Sequence, residues 1–453
     1  MKISPEKIYE YEGVICWGIG SYFKNNYEKL KDIVNILALC DSDTSKISGK
    51  LEMPLECIPP QKLTEKDVVI ICVQNTSAYS EIELFLVTAN IPYCNLSELF
   101  WYNTEKQVEN ICFADNNPTK MMKYIDCGVG VNKCNLKCSY CYLSHHKRNS
   151  EYEIKYHSPT FIRAALSQRR FGGSILINFC GDGETLLCKE LPDIIEQLLH
   201  EGHYISVVTN GTVSEAIDRL THLDADIKRI FIKFSLHYLE LKRTQLLERF
   251  VCNVKKAMSV GISVSVELVP SDDLIDSIDE IKAFSLKCFG VLPHLTVTRD
   301  EGSKELKILT ERTDEEYKSI WGVFESAMFD FKMQNVGKKR YEYCMAGAYG
   351  YTLILETGEL YKCAGNPFVC NIFDDIDAEI PASPVGKNCC LPYCYNCHSY
   401  LALGMIKDAP APTYYEVRDR VSDTGEHWIK EGMKEIFCQK LYDNNKQESG
   451  KYE

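Results

Sequence analysis

No apolar run in this chain approaches the ~20 residues that a membrane-spanning helix needs, so no transmembrane segment is expected. The opening MKISPEKIYEYEG lacks both the basic start and the apolar centre of a secretory leader. Basic tails and basic stripes are missing as well, and the formal net charge is −13. Nucleic-acid binding rests mainly on Lys and Arg neutralising phosphates, so that class of partner is not expected. Neither internal repeats nor low-complexity stretches occur. These absences together predict a cytoplasmic protein without membrane or nucleic-acid partners.

Cysteine is what the chain has in excess, with 22 among 453 residues. A reducing compartment does not favour structural disulfides. Some of these cysteines therefore read as small buried hydrophobes and the remainder as metal or redox ligands. With 45% hydrophobic and 25% charged residues the chain can bury ordinary globular cores, and its length leaves room for about three domains.

The pattern divides accordingly. Residues 1–110 alternate short apolar runs (Val14 to Trp17, Ile36 to Leu39, Val68 to Val73) with helical stretches around Tyr22 to Val34 and Ala78 to Ala89, which predicts a parallel sheet covered by helices. Residues 111–335 repeat the alternation on a larger scale. Candidate strands are Tyr124–Val131, Ile175–Cys180, Ile205–Thr209, Ile230–Ser235, Ile262–Leu268 and Leu295–Thr298, enough for a partial or complete β/α barrel. A capping box, Thr313 to Glu316, opens its last helix, with Ile320, Trp321, Phe324 and Met328 on one face. Residues 336–453 are loop-rich, and an amphipathic helix is expected near Trp428 to Leu441.

Cys134, Cys138 and Cys141 form a C-x3-C-x2-C array, CNLKCSYC, directly after a candidate strand. Thiolates are the preferred ligands of iron–sulfur clusters. A cubane has four irons, so three cysteines leave one iron open to chelate the amino and carboxylate groups of a small molecule. Zinc would need a fourth ligand. His145 or His146 could supply it, and the triad alone leaves both metals open.

CNLKCSYC resembles the signature of the radical SAM superfamily. That resemblance implies a [4Fe–4S] cluster that binds S-adenosylmethionine and cleaves it reductively to a 5′-deoxyadenosyl radical, with Tyr140 against the adenine. NFCGDGETLL, Asn178 to Leu187, is similar to the family's glycine–glycine–glutamate motif. It implies that Gly183 and Glu184 belong to the cofactor site, although Asp182 replaces the first glycine and Thr185 the usual proline. Thr209 and Asn210 close the third strand, Ser235 the fourth, and Glu267 lies near the end of the fifth. The resemblance places all four on the cofactor, and strand ends are where such barrels build their sites. Singly, a Ser or Asn there is usually a cap or turn former. His237 shares a strand face with Ser235; it either contacts substrate or is a hydrogen-bonded structural histidine.

Cys344, thirteen residues, Gly358, four residues and Cys363 resemble the opening of the SPASM and twitch domains, which bind auxiliary [4Fe–4S] clusters. YTLILETGELYKC reads as a β-hairpin turning at Thr357-Gly358 and carrying Cys363 back towards Cys344. Leu403 stands where the full SPASM pattern wants a further cysteine. One auxiliary cluster is therefore expected, on Cys344, Cys363, Cys394 and Cys397, with Cys389 or Cys390 able to replace one of them. Four-cysteine sites also suit a structural zinc. Cys370 and Cys438 read as ordinary.

In CWGIGS, Gly18 and Gly20 follow a strand, and Asp41 ends the next strand twenty-one residues past Gly20. This is a Rossmann-like layout lacking its third glycine, since Phe23 stands in that place, and it leaves a nucleotide site there open. Cys16, Cys40 and Cys72 sit within apolar runs and read as core. The segment is similar to small Rossmann-like domains appended to enzymes of glycan and nucleotide-sugar biosynthesis. The expected architecture is thus α/β: a Rossmann-like domain, a partial (β/α)6 TIM-like radical SAM core and a SPASM/twitch-like domain. The resemblance implies an electron donor of flavodoxin or ferredoxin type and a sugar or glycan precursor as substrate, with a peptide as the alternative. A zinc-stabilised binding protein without catalysis is the reading from another class.

Overall fold

The computed structural model describes residues 1–43, 55–106, 108, 113, 119–131, 133–141, 155–300, 302–363 and 367–446. The chain divides into two compact units, Met1–Ile111 and Cys112–Glu453.

In the first unit five parallel strands, β1 (Val14–Trp17), β2 (Ile36–Cys40), β3 (Cys57–Ile58), β4 (Val69–Ile71) and β5 (Tyr93–Asn95), lie in the order β3-β2-β1-β4-β5. β1 and β4 are buried along their whole length, as near-continuous apolar strands covered on both faces should be. Helices Ser21–Lys31, Thr76–Thr88 and Leu96–Lys106 provide the cover. Cys16, Cys40 and Cys72 are core residues, as expected. The strand order reverses between β1 and β4, and the Gly18 turn sits at that crevice. Gly18 adopts φ +103°, and a Cβ there would meet Val73 Cγ1 at 2.4 Å.

In the second unit β6 (Met121–Val129), β7 (Ser174–Gly181), β8 (Tyr204–Thr209), β9 (Ile230–Ser235), β10 (Ser263–Leu268) and β11 (His294–Leu295) lie side by side in chain order, all parallel. These are the six strands expected, with β11 shorter. They form the staves of a partial barrel. β12 (Gly350–Ile354) adds to the free side of β6 in parallel, and β13 (Glu359–Tyr361) and β14 (Phe368–Asn371) extend the sheet antiparallel. The β12–β13 hairpin turns where predicted, at Gly358 with φ +73°; a Cβ there would meet Phe373 Cδ2 at 2.4 Å.

Helices on the outer face follow amphipathic patterns. Leu191–His200 starts on Pro192 and buries Ile194, Ile195, Leu198 and Leu199. The capping box at Thr313 is formed, but the helix it opens stops at Trp321. A 3-10 turn over Gly322–Phe324 follows, and Glu325 at φ +51° separates it from Ala327–Met333. The C-terminal helix is likewise shorter than its apolar pattern, spanning Glu431–Phe437. Its neighbours hold the strand starts. Val264 N donates to Trp428 O, Lys430 N to Ser263 Oγ, and Met121 N to Gln439 Oε1. The chain end thus covers the N-terminal ends of β6 and β10, and the opposite ends stay available for chemistry.

Candidate active site

Along β7 to β10 the residues at or near the C-terminal ends, Cys180, Val208, Ser235 and Glu267, are partly exposed while their strand neighbours are mostly buried. Side chains alternate across a strand, so these define an accessible inner face at one mouth of the half-barrel. Thr296, just after β11, continues it.

The loop leaving β6 carries Cys134, Cys138 and Cys141 to this mouth. Cys134 is exposed and the other two are half-buried. Burial, followed by the neighbouring Cys141 and Cys134 thiols, pushes the Cys138 thiol up to about 12. Three thiols on one short loop form a donor set for a cationic, thiophilic centre, and bound metal would favour their thiolates. The set therefore fits an iron–sulfur cluster. His145 and His146 lie outside the described residues, and among the described residues no three His, Cys, Asp or Glu side chains close on a single-ion site.

The end of β7 is locked onto this loop. Glu184 N donates to Lys133 O at 2.9 Å, and a Cβ on Gly183 would lie 2.0 Å from that same carbonyl oxygen. Only glycine lets the two backbones pass so closely. Asp182, which replaces a glycine of the motif, accepts a hydrogen bond from Val131 N at 3.0 Å. The Thr185 hydroxyl, in the proline position, accepts one from Gly181 N at 2.8 Å. Both departures thus brace the turn.

Glu184 is buried and braces rather than reaches outward. Its carboxylate accepts from Thr209 Oγ1 at 2.5 Å, Asn210 N at 2.7 Å and Leu186 N at 3.1 Å. Burial raises its pKa and these donors partly offset the rise. Asn210 then turns its amide to Asn135 Oδ1 at 2.8 Å and to Cys134 Sγ at 3.9 Å. Asn135 Nδ2 closes the ring on Thr212 Oγ1 at 2.7 Å. Asn135 and Thr212 were not anticipated; Asn135 sits inside the cysteine motif, and its position there was the available signal.

Tyr140 Oη and His237 Nδ1 are 2.8 Å apart, and burial lowers the His237 pKa to about 4. His237 is therefore a neutral ring held by a tyrosine of the cluster loop. Lys137 N donates to Glu240 Oε1 at 2.8 Å, a second tie between that loop and the segment after β9. Ser235 lies on the accessible face. Glu267 lies there too, with its carboxylate paired to the fully buried Arg418.

The other cysteine set lines a small apolar cleft. Cys344, Cys363, Cys389 and Cys394 face it, together with Arg340 and Tyr400. Burial and then the neighbouring Cys344 and Cys389 push the Cys363 thiol up to about 12. Cys397, expected among the four, is 2% exposed and does not line the cleft. It opens the helical turn Cys397–Tyr400, where the Lys332 ammonium opposes the rise that burial imposes on its thiol. Cys389 lines the cleft, and Cys390 is exposed. In the N-terminal unit, Asp41 turns its carboxylate onto the glycine turn, accepting from Ile19 N and Asp43 N at 2.9 Å each.

No described helix is long and apolar enough to cross a membrane. Comparison with known proteins bears on the half-barrel. Residues 129–284 match the family model of the radical SAM superfamily. A probable GTP 3′,8-cyclase of Methanocaldococcus jannaschii is 32% identical over 138 residues, 29% of this chain and 45% of that protein. A probable GTP 3′,8-cyclase of Methanococcus maripaludis is 27% identical over 35% of this chain and 54% of its own length. The chain spans about half the length of these curated relatives. Among solved structures, Streptococcus suis SuiB bound to S-adenosylmethionine aligns at 16% identity over 66% of this chain and 75% of its own, with a TM-score of 0.40. BtrN in complex with AdoMet and 2-DOIA aligns at 16% identity over 57% and 80%, with a TM-score of 0.33. Residues 129–284 of this chain are thus similar to the radical SAM superfamily.

Proposed function

We propose that the protein is an enzyme that holds a [4Fe–4S] cluster on Cys134, Cys138 and Cys141 and abstracts hydrogen from a small substrate, a sugar or glycan precursor. The observation that carries this reading is the lock between the three-cysteine loop and the ends of β7 and β8, made through Gly183, Glu184 and Asn210. When bound, the cluster and S-adenosylmethionine supply a 5′-deoxyadenosyl radical that takes a hydrogen atom from substrate.

The chain's own residues orient and enclose. Cys134, Cys138 and Cys141 would hold the cluster by three thiolates and leave it able to take S-adenosylmethionine. Gly183 lets the cysteine loop pass close at Lys133, while Glu184 fixes Thr209 and Asn210 at the rim. Tyr140, held by His237, lies where the family places a side chain against adenine. Ser235 and Glu267 complete the inner face. Cys344, Cys363, Cys389 and Cys394 are the donors we assign to one auxiliary cluster; the cleft they share supports that set. An electron donor of flavodoxin or ferredoxin type would reduce the first cluster.

The substrate class rests on the likeness of residues 1–110 to domains of glycan biosynthesis, and a peptide is the competing choice. Release of 5′-deoxyadenosine by anaerobically reconstituted protein, measured with nucleotide-sugars and with peptides, separates the two. Stimulation by nucleotide-sugars alone supports the carbohydrate reading, and stimulation by peptides alone overturns it. Colourless protein carrying only zinc would sink both.

A further inference from the structure

Two hydrogen-bond donors are left over in the C-terminal cysteine cleft. Arg340 and Tyr400 line it beside Cys344, Cys363, Cys389 and Cys394. Arg340 spends its outer nitrogens on protein: Nη1 donates to Glu342 Oε1 at 3.0 Å, and Nη2 to Asn335 Oδ1. Its Nε is buried and has no hydrogen-bond partner among the described residues. Tyr400, only 4% exposed, leaves its hydroxyl buried with no described oxygen or nitrogen in hydrogen-bond geometry. The group it acts on is the Cys363 thiol, whose ionisation burial opposes most and Tyr400 eases.

The cysteines around these donors are held from their backbones. Cys344 exchanges both backbone hydrogen bonds with Gly386 at 3.0 Å. Lys339 Nζ donates to the carbonyls of Cys389 and Leu391 at 2.6 Å each. A buried N–H or O–H is costly to leave unmet. Apart from Glu342, already paired with Arg340, the other side chains lining the cleft are apolar, so the cysteine sulfurs are the acceptors at hand. Thiol sulfur accepts weakly, whereas a thiolate or the sulfide of a cluster is an anion and accepts well.

We infer that Arg340 Nε and Tyr400 Oη donate hydrogen bonds to sulfur atoms of the auxiliary cluster and so set its reduction potential. This deepens the proposed function and rests on its assignment of a cluster to these cysteines. A cubane on four thiolates is an anion that becomes more negative on reduction. Donors to its sulfurs therefore favour the reduced state and raise the potential. Arg340 and Tyr400 act through the cluster and are positioning residues, not ligands. A zinc ion on the same thiolates has no redox change for them to act on.

A redox titration of the anaerobically reconstituted full chain, followed by electron paramagnetic resonance and metal analysis, tests this. S-adenosylmethionine perturbs the signal of the cluster it binds, so the signal that does not respond belongs to the auxiliary cluster. Tyr400→Phe removes one hydroxyl and little volume; Arg340→Lys keeps the charge and removes Nε. We expect both variants to keep about eight irons per chain. At fixed potential, the ratio of reduced to oxidised auxiliary cluster should fall at least threefold in each. A tenfold fall, about 59 mV for one electron, is expected when the two are combined. If Arg340→Lys loses iron because Glu342 and Asn335 lose their partner, Tyr400→Phe carries the test. An unshifted ratio in every variant that keeps its iron would overturn the inference and leave the auxiliary cluster standing. Loss of iron in Tyr400→Phe would make the hydroxyl a structural prop and overturn its tuning role. Wild-type protein with only about four irons per chain, or with zinc at the second cysteine set, would overturn the cluster assignment and the inference with it.

Discussion

Gly183 shows how much a single residue carries here. A Cβ placed 2.0 Å from the Lys133 carbonyl oxygen cannot be absorbed by a side-chain rotation, because both partners are backbone. Gly183→Ala should therefore displace the cysteine loop, cost about 1–3 kcal/mol and lower iron by about four per chain; unchanged iron content and melting temperature would refute it. Glu184→Gln keeps the size but replaces charge-assisted acceptors, so a loss of about 1.5–3 kcal/mol is expected in denaturant unfolding. The three cysteines were legible because their spacing is chemistry in itself. Glu184 was legible as a site residue but not as a brace, since its partners Thr209 and Asn210 come from another strand.

At the scale of elements, the second cysteine set depends on a hairpin and a loop. Turn chemistry at Gly358 made the hairpin readable. CxxC spacing drew attention to Cys394 and Cys397, yet the helical turn at Cys397–Tyr400 carries the second thiol into the core, and the loop returns Cys389 to the cleft. Sequence spacing cannot report which way a loop folds back over long distance. Cys389→Ala should lower iron from about eight to about four per chain, whereas Cys397→Ala should leave the iron count unchanged; the reverse result would restore Cys397 as ligand. The six strands of the half-barrel were readable as apolar runs at regular βα spacing. Helix lengths were less so, because Gly322 and the positive φ of Glu325 interrupt an apolar stripe that continues unbroken in sequence. Thr313→Ala removes a formed capping box and should cost about 1 kcal/mol in thermal unfolding, with no change in iron.

For the molecule as a whole, the segment around Trp428 to Gln439 covers one side of the half-barrel and leaves the opposite strand ends accessible beside the first cysteine set. This arrangement suits a reaction in which cofactors do the bond-breaking and protein orients, excludes water and sets charge. The central claim is that Cys134, Cys138 and Cys141 carry the cluster that cleaves S-adenosylmethionine. The most direct measurement is 5′-deoxyadenosine formed by anaerobically reconstituted protein given S-adenosylmethionine and dithionite, compared with the Cys138→Ala variant. The account predicts release by the wild type and none by the variant; release by both, or by neither when the wild type holds its full complement of iron, would contradict it.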